Sequence, residues 1–531
     1  MAKIRTIFML VTLGYVAADV PCARRQIEKK SVVCVCNATY CDEITRDDPA
    51  PGKYVAYTSS EAGSRFKKQE GEFTSYYKWN EGASHTIVID LSKNKQSIQG
   101  FGGAVTDAAG IHWSNFSNPQ LQDYLINSYF GKNGLEYNML RVPIGGCDFS
   151  THDYAYNELP WNDGQLTNYT LSPEDFIYKI PMIQQIKAAA TSDVHIVATV
   201  WSPPKWMKTN EKPNGPSLIK EEFMQTYADY ITKFIREYKK HDIDIWAVTT
   251  TNEPQDAFLP FTRFQDLGWT PGKMGQWIIN NLGPTIKNSS DINHVKILTV
   301  DDQRITIPLW FNIMIEKHPE VLNWIDGIGV HWYTDKFSPA AILEAAVKNH
   351  PDKFILATEA CEGSFPWQLE KVSLGDWSRA QSYIHSILED LNYNLVGWID
   401  WNLCLDKQGG PNWVKNFVDS PIIVFPENNE FVKQPMFYAM GHFSKWIPRG
   451  SVRLEVEEKK GLLEKSVDHV AVLTPKDTVV VVLHNTGNAR NVRVQLCEEH
   501  TVIALEKASV TTLEFQAPSA SSYNYNKIMN T

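Results

Sequence analysis

Alternating strand-like and helix-like segments between residues 97 and 402 constrain the fold of this chain more than any other feature. A helical pattern such as "LIKEEFMQTYADYITKFIREYKKH" (218–241) separates successive short apolar runs. The runs are "SIQGFGGAV" (97–105), "NMLRVPIGG" (138–146), "HIVATVWS" (195–202), "IWAVTTTNE" (245–253), "VKILTVDD" (295–302), "GIGVHWYT" (327–334), "KFILATEA" (353–360) and "NLVGWIDWN" (394–402). Repeated βα units indicate a parallel sheet.

Eight such units predict a (β/α)₈ barrel. An open, doubly wound sheet is the alternative. Its glycine-rich phosphate fingerprint does not follow the first strand, which favours the barrel.

The two ends of the chain have a different pattern. Short β-type runs separated by polar turns fill the C-terminal part, and similar runs, "KYVAYTSS" (53–60) and "HTIVIDLS" (85–92), precede the barrel. Domain termini often lie close together. We therefore expect residues 49–96 and 451–531 to join into one discontinuous β-sandwich.

The N-terminal segment indicates export. Residues 1–18 combine basic residues, an apolar core and a small-residue cleavage site, as a signal peptide does. An anchor helix is the alternative, but the apolar stretch is shorter than the roughly 20 residues a membrane span needs. Export would permit glycosylation at the four Asn-X-Ser/Thr sequons, which are Asn37, Asn115, Asn168 and Asn288.

Cysteines cluster near the N-terminus, at Cys22, Cys34, Cys36 and Cys41. In an exported chain such a cluster predicts two local disulfides, and four cysteines allow three pairings. No spacing suggests a zinc site. The formal net charge is −10 and no long basic run occurs, which argues against a nucleic-acid partner.

Carboxyl groups stand at the ends of several predicted strands, where barrel enzymes keep their active sites. They are Asp107, Asp148, Glu253, Asp301, Asp302, Glu359 and Asp400. Glycosidases use two carboxyl groups, and strands 4 and 7 lie across the barrel mouth from one another, which favours Glu253 with Glu359. The amide of Asn252 could bind a sugar 2-hydroxyl. We expect a rim of aromatic side chains formed by Trp201, Trp206, Trp332, Tyr333, Trp367 and Trp401.

The motifs together resemble family 30 of the glycoside hydrolases, in the branch that hydrolyses glucosylceramide. The similar segments include "GFGGAVTDAAG", "RVPIGGCDFS", "TTTNEP", "VHWYTD", "TEACEGS", "GGPNWVKNFVDSPII" and "MGHFSKWIPRGS". They span nearly the whole chain in the same order. A lone Asn-Glu-Pro is a weak signal, but the combination is specific.

The resemblance implies a retaining mechanism with Glu253 as acid/base and Glu359 as nucleophile. It implies glucose contacts from Asp148, Trp201, Asn252, Trp401 and Asn416, with Tyr333 beside the nucleophile. It also implies the pairings Cys22–Cys34 and Cys36–Cys41, within a small antiparallel β domain of residues 19–48 plus 403–434. The catalytic barrel would then comprise 97–402 plus 435–450.

The same resemblance implies hydrolysis of glucosylceramide to glucose and ceramide, without a metal or organic cofactor. It also implies a lysosomal location, peripheral contact with anionic lipid and a saposin-type activator. Two alternatives remain: a family-30-like enzyme for other β-glucosides or xylosides, and a non-catalytic glycan- or lipid-binding protein. Two departures bear on the aglycone: a tyrosine expected near Thr262 is absent, and Glu362 adds a charge that we expect at the entrance.

Overall fold

A computed structural model describes residues 20–75, 82–260 and 262–518. The predicted signal peptide, residues 1–18, lies outside the described residues. Within the described ranges the chain forms three β-structures, one of them a closed barrel.

The closed barrel consists of eight parallel strands, which confirms the predicted fold and excludes the open sheet. Each strand coincides with one of the runs identified in the sequence, and only β10 extends beyond its run, by one residue to Gln303. The strands are β6 (Gly100–Ala104), β7 (Met139–Ile144), β8 (His195–Val200), β9 (Ala247–Thr249), β10 (Lys296–Gln303), β11 (Gly327–His331), β12 (Phe354–Glu359) and β13 (Leu395–Asn402).

Ten α-helices accompany the strands in the described part of the chain. They are α1 (Asp107–Ser114), α2 (Pro119–Phe130), α3 (Ile180–Ala189), α4 (Met224–Lys239), α5 (Pro271–Trp277), α6 (Gly283–Lys287), α7 (Ile307–Lys317), α8 (Ala341–Val347), α9 (Trp377–Asn392) and α10 (Pro435–Ser444). Side-chain caps begin several of them: Thr106 accepts from Ala109 N–H, and Asp376 accepts from Ser378 N–H. Such caps satisfy backbone donors that have no partner within the helix.

A five-stranded sheet brings the N-terminal cysteines to a late segment of the chain. Its order is β1 (Arg24–Gln26), β2 (Val32–Asn37), β16 (Glu430–Lys433), β15 (Ile422–Phe425), β14 (Leu405–Asp406). Disulfides join Cys22 to Cys34 and Cys36 to Cys41, which confirms the pairing implied by the resemblance. The sheet is not purely antiparallel, because the long connection 407–421 lets β14 pair with β15 in parallel.

The third β-structure is one hydrogen-bonded sheet, built from strands that precede the barrel in the sequence and strands that follow it. Its strands are β3 (Lys53–Ser60), β4 (Lys67–Glu72), β5 (Ala83–Ser97), β17 (Val452–Lys460), β18 (Asp468–Leu473), β19 (Thr478–Asn485), β20 (Arg490–Leu496), β21 (Glu499–Leu505) and β22 (Ser509–Gln516). Apolar residues from early and late strands share one core, including Ile87, Val481 and Phe515. This arrangement confirms the discontinuous β-sandwich.

In the barrel strands the apolar side chains are buried, and the polar side chains lie towards the carboxyl ends. Met139, Val197, Leu298 and Leu356 form one buried cluster contributed by four strands. Among the described residues, no helix is long and apolar enough to cross a membrane.

Candidate active site

Glu253 follows strand β9 in a turn that fixes its position. Its backbone N–H donates to the carbonyl of Asp301 at 3.0 Å, and Asn252 N–H donates to the carbonyl of Val200 at 2.9 Å. Glu253 has a positive φ of 42°, which is unfavourable for a residue with a side chain. Strained backbone of this kind is held by its surroundings and clusters at functional sites.

Glu359 is the last residue of β12, on the other side of the barrel mouth. The Tyr333 hydroxyl donates to its Oε1 at 2.7 Å, and the Arg141 guanidinium donates to its Oε2. Oxygen atoms of Glu253 and Glu359 lie within 4.8 Å of one another. Two carboxyl groups from different strands therefore face the same small volume.

Arg141, on strand β7, is fully buried beneath the two glutamates. Besides Glu359, it donates to Asn252 Oδ1 at 2.8 Å and to Asp301 Oδ2 at 3.0 Å. Its guanidinium also lies 4.8 Å from the Trp201 ring centre. One cation thus fixes the Glu359 carboxylate and the Asn252 amide next to Glu253.

His331, at the end of β11, links two acidic side chains. Its Nδ1 lies 2.8 Å from Glu253 Oε1, and its Nε2 lies 3.2 Å from Asp301 Oδ1. Burial lowers the pKa of His331, but the surrounding carboxylates, led by Glu359, outweigh burial and raise it to about 10. The protonated ring therefore donates to both carboxylates.

The surroundings of Glu253 favour its protonated form. Burial raises the pKa of Glu253 well above its usual range, and the negative charges of Asp256 and Glu359 raise it further, against the effect of His331. Gln303 Nε2 also donates to Glu253 Oε1 at 2.7 Å. A carboxyl group that stays protonated near neutral pH can act as a general acid.

A cavity of about 510 Å³ opens above these groups. It is lined by all the residues to which the family resemblance gave a catalytic or glucose-contacting role: Asp148, Trp201, Asn252, Glu253, Tyr333, Glu359, Trp401 and Asn416. Thr262 and Phe264 of the loop after β9 also line it. The loop in which the sequence departs from the family pattern therefore borders the cavity.

Two features of the cavity wall suit a sugar. The rings of Trp201 and Trp401 stack at 5.3 Å with an interplanar angle of 21°. Asp148 Oδ2 accepts from Asn412 Nδ2 at 3.0 Å and from Asn416 Nδ2 at 3.1 Å, while burial and Glu359 raise the pKa of Asp148 to about 7. Aromatic rings pack against the C–H face of a sugar, and fixed polar groups bind its hydroxyls.

Part of the predicted aromatic rim is wrong. Trp206 is buried away from the cavity, where its Nε1 donates to the Asn157 carbonyl at 3.0 Å. Trp332 is also buried, with its ring edge-on to Tyr383 at 5.4 Å. Trp332 and Tyr333 follow β11 in a turn, which Asp335 N–H closes by donating to the Trp332 carbonyl at 2.9 Å, and of the two only Tyr333 lines the cavity.

Glu362 and Trp367 were expected at the entrance and in the aromatic rim. Glu362 does not lie in the entrance: it is buried, and Gln368 donates to its carboxylate. Trp367 is exposed and stacks on Phe365, a residue of the cavity wall, at 4.7 Å.

All four sequon asparagines, Asn37, Asn115, Asn168 and Asn288, are exposed.

The sequence analysis did not single out Arg141, His331, Gln303 or Asn412. A signal was present for two of them, because Arg141 and His331 are ionisable residues inside otherwise apolar strands. Buried charges in such places need partners, and the partners here are the catalytic candidates.

The sequence matches the profile "Glycosyl hydrolase family 30 TIM-barrel domain" over residues 98–447 and "Glycosyl hydrolase family 30 beta sandwich domain" over residues 450–517. The chain therefore belongs to family 30 of the glycoside hydrolases and is a glycoside hydrolase of the β-glucosidase type.

Two relatives of this chain are named as glucosylceramidases, one class of enzyme within the family. The chain is 40% identical over 493 residues to mouse lysosomal acid glucosylceramidase, covering 92% of this chain and 93% of the relative. It is 44% identical over 427 residues to putative glucosylceramidase 3 of Caenorhabditis elegans, covering 80% and 81%. The structure of SrfJ from Salmonella typhimurium shares the fold, with a TM-score of 0.79 at 23% identity, covering 88% of this chain and 100% of that one.

Proposed function

We propose that this protein is a retaining β-glucosidase that hydrolyses glucosylceramide to glucose and ceramide. The observation that carries the mechanism is the separation of less than 4.8 Å between oxygens of Glu253 and Glu359. Retaining glycosidases place their carboxyl groups about 5–5.5 Å apart, whereas inverting enzymes need about 6.5–9.5 Å to admit water.

In the first step, Glu359 attacks the anomeric carbon as the C–O bond to the aglycone breaks. Glu253 gives its proton to the departing oxygen, so ceramide leaves as an alcohol and the sugar remains as an ester of Glu359. Arg141 and Tyr333 orient the attacking carboxylate through the hydrogen bonds described above.

In the second step, Glu253 takes a proton from water, whose oxygen attacks the same carbon and displaces Glu359. Two inversions give net retention. Esterification removes the charge of Glu359, which lowers the pKa of Glu253 and suits it to act as the base. Two carboxyl groups supply the chemistry, so the proposal needs no metal or organic cofactor.

The glucose would be held by the groups that line the inner wall. Asp148 and Asn416 offer an acceptor and a donor for hydroxyls, and Trp201 with Trp401 offers an apolar face. The Asn252 amide, oriented by Arg141, is suited to the 2-hydroxyl, a contact that strengthens in the transition state.

An arc of exposed apolar side chains supports a lipid substrate. They follow four consecutive strands, β9 to β12, on the connecting loops or, for Leu309, in the first turn of α7: Phe258, Leu259, Ile305, Leu309, Phe337, Trp367 and Leu369. Exposed apolar patches mark interaction surfaces. We infer peripheral contact with a membrane at this face. The name of the mouse relative supports a lysosomal location. Contact with anionic lipid and a saposin-type activator rest on the family resemblance and belong to the same proposal, as does glycosylation of Asn37, Asn115, Asn168 and Asn288.

Kinetics test the proposal. We expect hydrolysis of glucosylceramide in phosphatidylserine-containing vesicles and of a soluble aryl β-glucoside. Phe337→Ser should lower kcat/KM on vesicles several-fold and leave the soluble substrate unaffected, whereas Leu462→Ser, at an exposed leucine of the sandwich, should change neither.

The alternatives give different results. A clear preference for a β-xyloside with no vesicle activity would identify another family-30 β-glycosidase. Binding of glucoside without turnover would identify a glycan-binding protein.

A further inference from the structure

Asp256 stands three residues after Glu253, in the same turn. Its backbone N–H donates to the Glu253 carbonyl at 3.0 Å, which closes the turn, and both side chains line the cavity. Each of the two carboxyl groups affects the pKa of the other, so the two groups stand close together on the cavity wall. Two buried carboxyl groups at close range do not both ionise readily, so the pair retains a proton.

The turn that carries Asp256 is held from both sides. Gln255 donates to Asp302 Oδ2 through its backbone N–H at 3.3 Å and its Nε2 at 3.2 Å. Asp256 then begins a short 3₁₀ helix, Asp256–Phe258, and Leu259 N–H donates to its carbonyl at 2.9 Å. The position of the second carboxyl group is therefore built into the loop.

We propose that Asp256 is a positioning residue that shares the catalytic proton with Glu253. This inference rests on the proposed role of Glu253 as acid/base and deepens it. The carboxyl pair holds one proton beside the glycosidic oxygen before the first step. After that proton has left, the negative charge of Asp256 makes Glu253 a stronger base for the water of the second step.

The electrostatics agree with the geometry. Burial raises the pKa of both Glu253 and Asp256, and the charge of Asp256 adds to the effect on Glu253. Other ionisable groups face the pair from four barrel strands and from the loop after β9: Arg141, Arg263, Asp266, Asp301, Asp302, His331, Tyr333 and Glu359. Of these, His331 opposes the effect of Asp256 on the pKa of Glu253, because His331 Nδ1 donates a hydrogen bond to the Glu253 carboxyl group.

The test is the pH profile of kcat/KM on a soluble β-glucoside with an unactivated leaving group. Asp256→Asn removes the neighbouring charge, so Glu253 should lose its proton at lower pH. We expect the alkaline limb to move down by about one pH unit, since like charges at this distance separate two pKa values. Asp256→Glu should keep the limb near its original position.

Asp244→Asn is the matched control, because it removes the same charge from an exposed residue before the opposite end of β9. It should leave the profile unchanged. If Asp256→Asn does not fold, Asp256→Ser replaces it under the same criterion.

An unchanged alkaline limb in a folded Asp256 variant would overturn this inference. A loss of kcat that is equal at every pH would also overturn it, because that result indicates a structural role. Neither result touches the proposed function, which is tested by the activity of the unaltered protein on glucosylceramide vesicles and on a soluble β-glucoside.

Discussion

The β9 and β12 sides of the barrel mouth carry the same residue type in different surroundings. Glu253 and Glu359 are 7% and 6% exposed, so burial does not distinguish them. Their partners do. Glu359 accepts from the Arg141 guanidinium and the Tyr333 hydroxyl. Glu253 accepts from His331 and Gln303, but it also lies beside another carboxyl group, Asp256, which opposes its ionisation.

The difference teaches how one side chain can serve as nucleophile or acid. A cation and a hydroxyl donor suit a carboxylate that must be charged when it attacks. Burial and a like charge suit a carboxyl group that must keep its proton.

The largest effect is expected from Glu359→Gln. An amide cannot form the glycosyl ester, so kcat should fall by about 10⁴-fold or more on every β-glucoside. Labelling by a 2-fluoro-glucoside, followed by intact-mass spectrometry, should also be lost.

Glu362→Gln is the matched control for that experiment. It changes a buried carboxylate three residues later on the same loop, outside the cavity wall, and should retain labelling. Covalent labelling of the Glu359→Gln protein would refute the assignment of the nucleophile.

Arg141→Gln should affect both stability and activity. It leaves Glu359 and Asp301 buried without their shared cation, which costs about 3–5 kcal/mol of unfolding free energy when a buried ion pair is broken. Chemical denaturation measures this loss.

Arg236→Gln provides the comparison, because it breaks the exposed pair with Asp291 and should cost less than about 1 kcal/mol. Equal losses in the two variants would show that the buried cation does not hold the β12 side together.

A smaller effect on the unfolding free energy is expected from a change of pH. Burial raises the pKa of Asp400 to about 8. Burial and the negative charge of Asp256 raise the pKa of Asp302 to about 7. Burial and the negative charge of Glu359 raise the pKa of Asp148 to about 7. These three groups therefore bind more protons in the folded state than in the unfolded state above pH 4. Stability from these groups is complete below the unfolded pKa and is lost as pH rises through the folded value.

His331, with its pKa raised to about 10, acts in the same direction above pH 6.5. Buried neutral histidines such as His442, whose pKa burial lowers to about 3, act the other way, but only near pH 6.5, where an unfolded histidine is still partly protonated. The unfolding free energy should thus fall by at least about 1 kcal/mol, one pKa unit of one group, between pH 6.5 and 8. Asp400→Asn should flatten the curve, and a rise in stability across this window would contradict the pKa directions.

The barrel could be predicted from the sequence because each parallel strand is an apolar run that a helical pattern separates from the next. The glutamates could be located because strand ends define the active-site face. The small sheet could not be reached from periodicity, since β2 and β16 are paired across most of the chain length. Only the resemblance supplied it.

The electrostatic partners could not be predicted for a related reason. Arg141 and His331 interact with carboxylates on other strands, and no local pattern records those contacts. Trp206 illustrates the reverse error, because a tryptophan near a strand end has the same sequence signature whether it faces sugar or core.

The assignment of Glu253 and Glu359 to different roles is tested most directly by azide and Glu253→Gln. With a dinitrophenyl β-glucoside the first step needs little acid assistance, so the glycosyl ester of Glu359 should form and accumulate. Azide needs no general base and should release β-glucosyl azide, identified by NMR, with rescue of turnover. An α-glucosyl azide, or no labelling of this variant by an activated fluoride, would contradict the assignment of the acid/base role to Glu253.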